Sequence, residues 1–232
     1  MRSKKLTCID ATRMKSFQSG LRSSVFTSLL AGVFSILAIG CASAPTLTPV
    51  TNTAQRMDFK GVSVEPPQGD NWYTSPTRRG PPGALVAFYK KMGDWDPEHT
   101  AIAALRLVDM QDQRFETADE LGRFMDRGFR DDHKRSTRFS LVDSTYTVDA
   151  SLDAMCVRLH QAQEDRGVPG RAGQRFLIDA HAIRCIHPDS SRHLVDISFS
   201  ERRRAGLASW WGRGLEKEVE PYLNSLQFLP LE

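Results

Sequence analysis

An apolar run without a charge, Val25 to Ile39, ends at Gly40-Cys41 and limits where a folded domain can begin. At 15 residues it is short of the roughly 20 a bilayer-spanning helix needs. It follows Lys15 and Arg22, as the apolar region of an export leader does. Residues 42–57, opening Ala42-Ser43-Ala44-Pro45-Thr46-Leu47-Thr48-Pro49, are small, polar and proline-bearing. They cannot bury enough surface to fold and read as a flexible tether. The core must therefore come from 58–232, room for one domain of ordinary size.

Charge divides the same way. Residues 1–40 hold six of the 31 basic side chains and one of the 28 acidic ones, which leaves 25 basic and 27 acidic groups, a net charge of −2. The basic excess thus belongs to the leader. A domain near neutrality lacks the field that steers a protein onto a polyanion, so nucleic acid is not an expected partner.

The residues Leu37-Ala38-Ile39-Gly40-Cys41 resemble a bacterial lipobox, in which small residues precede a cysteine that is acylated before cleavage. The leucine stands one place further upstream than is commonest. The resemblance implies a lipid anchor at Cys41 after removal of 1–40. Ala42 and Ser43 follow the cysteine where an aspartate would favour inner-membrane retention, so it further implies the outer membrane, facing the periplasm. An uncleaved anchor helix and ordinary secretory cleavage near Ala42-Ser43-Ala44 are the alternatives. Met14-Lys15 also makes a plausible start, in which case Cys8 is not part of the protein.

Beyond the tether, Phe59–Val64 reads as a strand stopping at Pro66-Pro67, followed by a turn at Gly69-Asp70-Asn71 into Trp72-Tyr73. A loop, Pro76 to Gly83, precedes strands at Ala84–Tyr89 and Thr100–Val108, with a turn at Gly93–Pro97 between them. The clearest helix is Thr117–Lys134: Thr117 with Glu120 makes a capping box, and Leu121, Phe124, Met125 and Phe129 share one face. Apolar alternation then marks Phe139–Val142, Ser144–Val148, Ala154–Gln163, Arg175–His187 and His193–Ser200. A last helix, Gly214–Leu226, carries Pro221, which either kinks it or moves its start. Strands, helix, strands, helix predict an α+β fold, a mostly antiparallel sheet with both helices packed on one side.

Antiparallel partners have a constant index sum. Setting Cys156 opposite Cys185 centres a hairpin in Gly167-Val168-Pro169-Gly170-Arg171-Ala172-Gly173, where composition independently puts a turn. Met155, Val157 and Leu159 then share a core face with Ile178, Ala180, Ala182 and Ile186. In an exported protein the two cysteines are expected to form a disulfide; two buried free thiols are the alternative.

The same register sets His160 opposite His181, with His187 on the same strand. No third ligand is fixed by spacing, so these read as exposed strand histidines, and no metal or cofactor is expected. Asp131-Asp132-His133 reads as the solvated end of the helix and Arg202-Arg203-Arg204 as a solvated turn after the last strand. Trp210-Trp211 is read as core packing of at least one indole, with a membrane-interface role as the alternative. Trp72 reads as a core plug. There is no Gly-x-Ser-x-Gly, His-Glu-x-x-His or Cys-x-x-Cys, so no catalytic residue is expected.

The pattern Val62-Ser63-Val64-Glu65-Pro66-Pro67, then Asn71-Trp72, and finally Leu223-Asn224-Ser225-Leu226-Gln227-Phe228 resembles the PsbP/Mog1-type α+β sandwich over about 58–229. Members mostly bind or help assemble other proteins and share no catalytic residues, so the resemblance implies a fold and no site. The functional expectation is a tethered envelope lipoprotein with a non-catalytic binding or assembly role toward a protein or glycan partner. The alternative is an envelope hydrolase whose site is assembled only in the fold. Lipid binding would require an apolar cavity between sheet and helices.

Overall fold

The computed structural model describes residues 47–75, 78–80, 83–91 and 98–231. The apolar run, Cys41, the start of the tether and the whole Gly93–Pro97 turn lie outside the described residues.

In chain order the elements are β1 (Thr48–Pro49), β2 (Met57–Phe59), β3 (Val62–Val64), β4 (Trp72–Thr74), β5 (Arg78–Gly80), β6 (Gly83–Lys90), β7 (His99–Asp109), α1 (Ala118–Arg135), β8 (Phe139–Asp149), β9 (Met155–Asp165), β10 (Phe176–His187), β11 (Ser190–Arg204), a 3₁₀ turn (Trp211–Arg213), α2 (Leu215–Asn224) and β12 (Gln227–Phe228). The large sheet runs β1-β4-β6-β7-β11-β10-β9-β8 with β5 beside β6, and a small sheet runs β12-β3-β2. Every pairing is antiparallel. This is the expected α+β class.

The two helices pack on opposite faces of the large sheet, not on one side. Neighbouring residues of a strand point to opposite faces, and the two buried clusters divide by that parity. Val157, Leu159, Ala182 and Leu194 gather with Leu121 and Met125 of α1. Cys156, Ile183, Val195 and Ile197 gather with Leu215, Val219, Tyr222 and Leu223 of α2 and with Val62 and Val64 of the small sheet. The central strands are therefore buried on both faces, and the face carrying His160 is a second core face. Each large apolar side chain so buried contributes about 1.5–3 kcal/mol relative to exposure.

Four local expectations change. Phe59–Val64 is not one strand but a hairpin, because Lys60 and Gly61 both adopt positive φ (42° and 79°), the pair of angles a two-residue turn requires. Phe139–Val142 and Ser144–Val148 are one strand, β8, with a bulge between Leu141 and Asp143 that leaves Val142 without a register partner and 61% exposed. Within the Pro76–Gly83 loop, Arg78–Gly80 pairs with β6. The later part of the tether also belongs to the fold: Thr48 pairs with Thr74, the Val50 amide donates to the Trp72 carbonyl (2.9 Å), and Arg56 donates to the carbonyls of Ser63 (2.9 Å) and Ser225 (2.5 Å). The ordered domain thus begins before residue 58.

α1 starts where the capping motif puts it. Thr117 Oγ1 accepts from the Glu120 amide (3.2 Å), while the Glu120 carboxylate reaches back to the Glu116 amide (2.9 Å), one residue beyond the usual partner. α2 runs through Pro221. Among the described residues no helix is long and apolar enough to cross a membrane.

Candidate functional site

On the α2 face, β9 and β10 pair in the expected register: Cys156 opposite Cys185 and His160 opposite His181. The cysteines are fully buried and joined as a disulfide, with Cα atoms 4.1 Å apart. The imidazoles of His160 and His181 lie 4.8 Å apart. His160 is 3.7 Å from Asp143 and 3.6 Å from Asp179, and His181 stacks on Trp211 at 4.0 Å. Burial, and secondarily His160, push the His181 pKa down to about 4, so its ring is neutral at pH 7. Neither ring is the freely exposed strand histidine the sequence suggests. His187 lies at the far end of β10, buried, its Nε2 against the Gly61 carbonyl (2.8 Å) while Nδ1 accepts from the Asp189 amide (3.1 Å). It clips the β10–β11 turn to the β2–β3 turn. Among the described residues no group of three or more His, Cys, Asp or Glu is placed to hold a metal ion.

A second buried pair lies on the same face. His99 Nε2 contacts Glu201 Oε1 at 2.5 Å, and Trp210 stacks on His99 at 3.1 Å. Burial pushes Glu201 up, but hydrogen bonds from His99, the Ser209 hydroxyl and the Trp210 amide together hold it below the ordinary carboxylate value. Each indole of Trp210-Trp211 is thus stacked on a histidine of the sheet. Trp72 is a core plug whose Nε1 donates to Glu218 Oε2 (2.8 Å), a carboxylate shared with the Lys90 ammonium.

The polar runs are committed to structure. Arg202-Arg203-Arg204 is not a solvated turn but the end of β11: Arg202 lies over the Phe176 ring, Arg203 pairs with Asp179 (2.7 Å) and Arg204 with Glu98 (3.0 Å). In Asp131-Asp132-His133 the two aspartates pair with Lys134 and Arg135. His133 turns instead to the Phe129 carbonyl (2.7 Å) and the Gln163 carboxamide (2.6 Å). The acid and base groups of that run do not meet.

The α1 face differs. α1 covers β8 and β9, and beside it a groove of ≈ 70 Å³ opens, floored by β7, β11, β10 and β9 and walled by Phe129. Three charged residues stand abreast along this floor, because Arg106 is the register partner of Asp196 and Asp196 that of Arg184. Arg184 Nε lies 3.4 Å from Asp196 Oδ2, and its Nη1 points to the Met125 sulfur (3.6 Å). Burial lowers the Arg106 pKa; Asp196 opposes that shift and Arg184 adds to it. Among the described residues, Arg106 Nε, Arg184 Nε, Asp196 Oδ1 and Gln161 Nε2 are buried without a hydrogen-bond partner. Asp196 and Gln161 are each only 6% exposed. The next rungs, Ala104–Ser198–Ala182 and Ile102–Ser200–Ala180, give the floor an apolar and hydroxylic lining.

Sequence reasoning passed over this row for a physical reason. Arg106, Asp196 and Arg184 each sit between two apolar neighbours (Leu105 and Leu107, Val195 and Ile197, Ile183 and Cys185), the alternation of a strand with one solvated face. The one available signal is that three such charges fall into a single rung once the register of β7, β11 and β10 is known.

No protein-family model matches the chain, and no curated protein matches it. Among solved structures the chain is similar to the solution structure of cyanobacterial PsbP from Synechocystis sp. PCC 6803 (11% identity, 82% of this chain and 96% of that one, TM-score 0.38). It is also similar to the crystal structure of LpqN, a protein involved in cell envelope biogenesis of Mycobacterium tuberculosis (10% identity, 81% and 91%, TM-score 0.44).

Proposed function

We propose that this is an envelope lipoprotein, held by acyl chains on Cys41 at the outer membrane and facing the periplasm, whose domain is a non-catalytic binding or assembly module for an envelope protein or glycan. The observation that carries the binding role is the groove beside α1, where a charged row is buried with hydrogen-bonding capacity to spare. Unmet buried polar atoms are costly, and a binding surface is where such a cost can be recovered. The disulfide supports export to an oxidising compartment. A non-catalytic role is supported by the commitments of His133 to Gln163, His181 to Trp211 and His187 to Gly61, and by the burial of the His99–Glu201 pair beneath the Trp210 indole.

Two measurements in intact cells test this. Metabolic labelling with a clickable palmitate analogue should mark the protein and fail to mark Cys41→Ser. A photo-crosslinking residue at Ser198, in the groove, should capture one envelope component that the same residue at Thr147, on the far edge, does not. Equal labelling of Cys41→Ser refutes the anchor; indistinguishable products from the two positions refute the binding face.

A further inference from the structure

We propose that the groove beside α1 is a binding site for an acyl carboxylate, its head on Arg106 and its hydrocarbon along Phe129 and the alanine-bearing floor. The inference rests on the preceding reading of this face as the binding face.

Charge selects the head. Two guanidiniums, Arg106 and Arg184, and one carboxylate, Asp196, are buried side by side in the groove, leaving one positive charge uncompensated. Asp196 turns Oδ2 toward Arg184, and Arg184 is further occupied by the Met125 sulfur. Arg106 is thus the guanidinium left facing the groove. A monoanion balances it, whereas a doubly charged phosphate would overshoot and leave a net negative charge beside Asp196. Gln161 Nε2, only 6% exposed by residue and without a partner among the described residues, is a second donor on the same floor. Carboxylates accept from both donor types, and charge-assisted bonds of this kind are the strong ones.

The walls select the remainder. Apart from the charged row, the two serines and the glutamines, the lining is alanine, isoleucine and phenylalanine (Ala104, Ala180, Ala182, Ile102, Ile178, Phe129 and Phe199), a surface along which methylene groups can lie. The enclosed ≈ 70 Å³ suits a head group and the first carbons, with a longer chain leaving through the open mouth.

The test uses the full-length protein purified from membranes in a non-ionic detergent, with the arginine Nε–H signals followed by NMR during titration with hexanoate, hexanol and inorganic phosphate. Hexanoate should shift the Arg106 signal saturably, and hexanol should not. Affinity should fall at least about tenfold in Arg106→Gln, the loss expected when a charge-assisted hydrogen bond is removed. Ala180→Leu fills the floor with every charge intact and should also weaken binding, which keeps the test valid if Arg106→Gln fails to fold. No saturable shift up to about 10 mM hexanoate, well above a weak millimolar affinity, overturns the proposal. So does an equal response to hexanol, which makes the site merely apolar, or to phosphate, which makes it an anion site without an acyl preference. If hexanoate fails while crosslinking at Ser198 still captures a component, the ligand is wrong and the binding face stands; if both fail, the reading of the face goes with it.

Discussion

Replacing His181 by phenylalanine should flatten the acid dependence of this domain's stability between pH 7.5 and pH 5. In the folded protein the imidazole is stacked on Trp211 and faces His160, and its pKa is pushed down to about 4; in the unfolded chain it returns to its ordinary value of about 6.5. The folded state therefore holds the neutral ring and the unfolded state takes up the proton first. A depressed folded pKa contributes stability that is fully present above pH 6.5 and is lost as pH falls toward 4. With these two values the linkage relation sets an upper bound of about 2 kcal/mol on the loss between pH 7.5 and pH 5, and of about 3.4 kcal/mol well below pH 4, both reduced by screening at the solvent-facing edge of the ring. Phenylalanine keeps an aromatic face for Trp211 and has no proton to gain. Urea unfolding at the two pH values, followed by far-UV circular dichroism, reads the difference directly. The native protein should lose more than His181→Phe, by about 1–2 kcal/mol once screening is allowed for. Equal losses would show that the ring is solvated when folded, and the stacking argument would fail.

Three further outcomes follow from packing. Gly122→Ala should destabilise by about 1–2 kcal/mol despite alanine's helix propensity: the added Cβ would come within 2.3 Å of the Tyr146 ring, which Asp119 holds by its hydroxyl (3.0 Å), and a raised melting temperature would contradict this packing. Cys156→Ala with Cys185→Ala should cost about 3–4 kcal/mol by loop-closure entropy for a separation of 29 residues, whereas an unchanged urea midpoint would mean the bond constrains the unfolded chain little. Glu218→Ala should cost about 2–3 kcal/mol, since the Trp72 indole N–H and the buried Lys90 ammonium lose their shared acceptor. Adding Lys90→Met should recover part of that loss, and strict additivity in the double-mutant cycle would refute the coupling.

Local signals and short-range geometry carried far in this chain. The start of α1 was legible because Thr117 and Glu120 act within one turn, and the β9–β10 register because an index sum and a glycine-rich turn agree on one hairpin. The missed elements fail on the same scale. The turn at Lys60-Gly61 has one glycine and a lysine in a left-handed conformation, a weak signal beside an uninterrupted apolar alternation. The β8 bulge reverses side-chain parity in mid-strand, so two short alternations hid one long strand. The arginines of 202–204 extend β11 because Asp179 and Glu98, distant in sequence, await them.

Legible in the sequence alone were an apolar run ending at a cysteine, an α+β order of elements, one capped helix and one cysteine-bearing hairpin, each a matter of neighbouring residues or of contacts across a single turn. Which face each helix covers, and hence where the groove lies, was decided only in the tertiary structure. A helix is about 10 Å across and strands lie about 4.8 Å apart, so α1 shelters only part of so wide a sheet. The Arg106–Asp196–Arg184 row is left at the edge of that shelter, assembled from three strands whose registers no single one of them encodes.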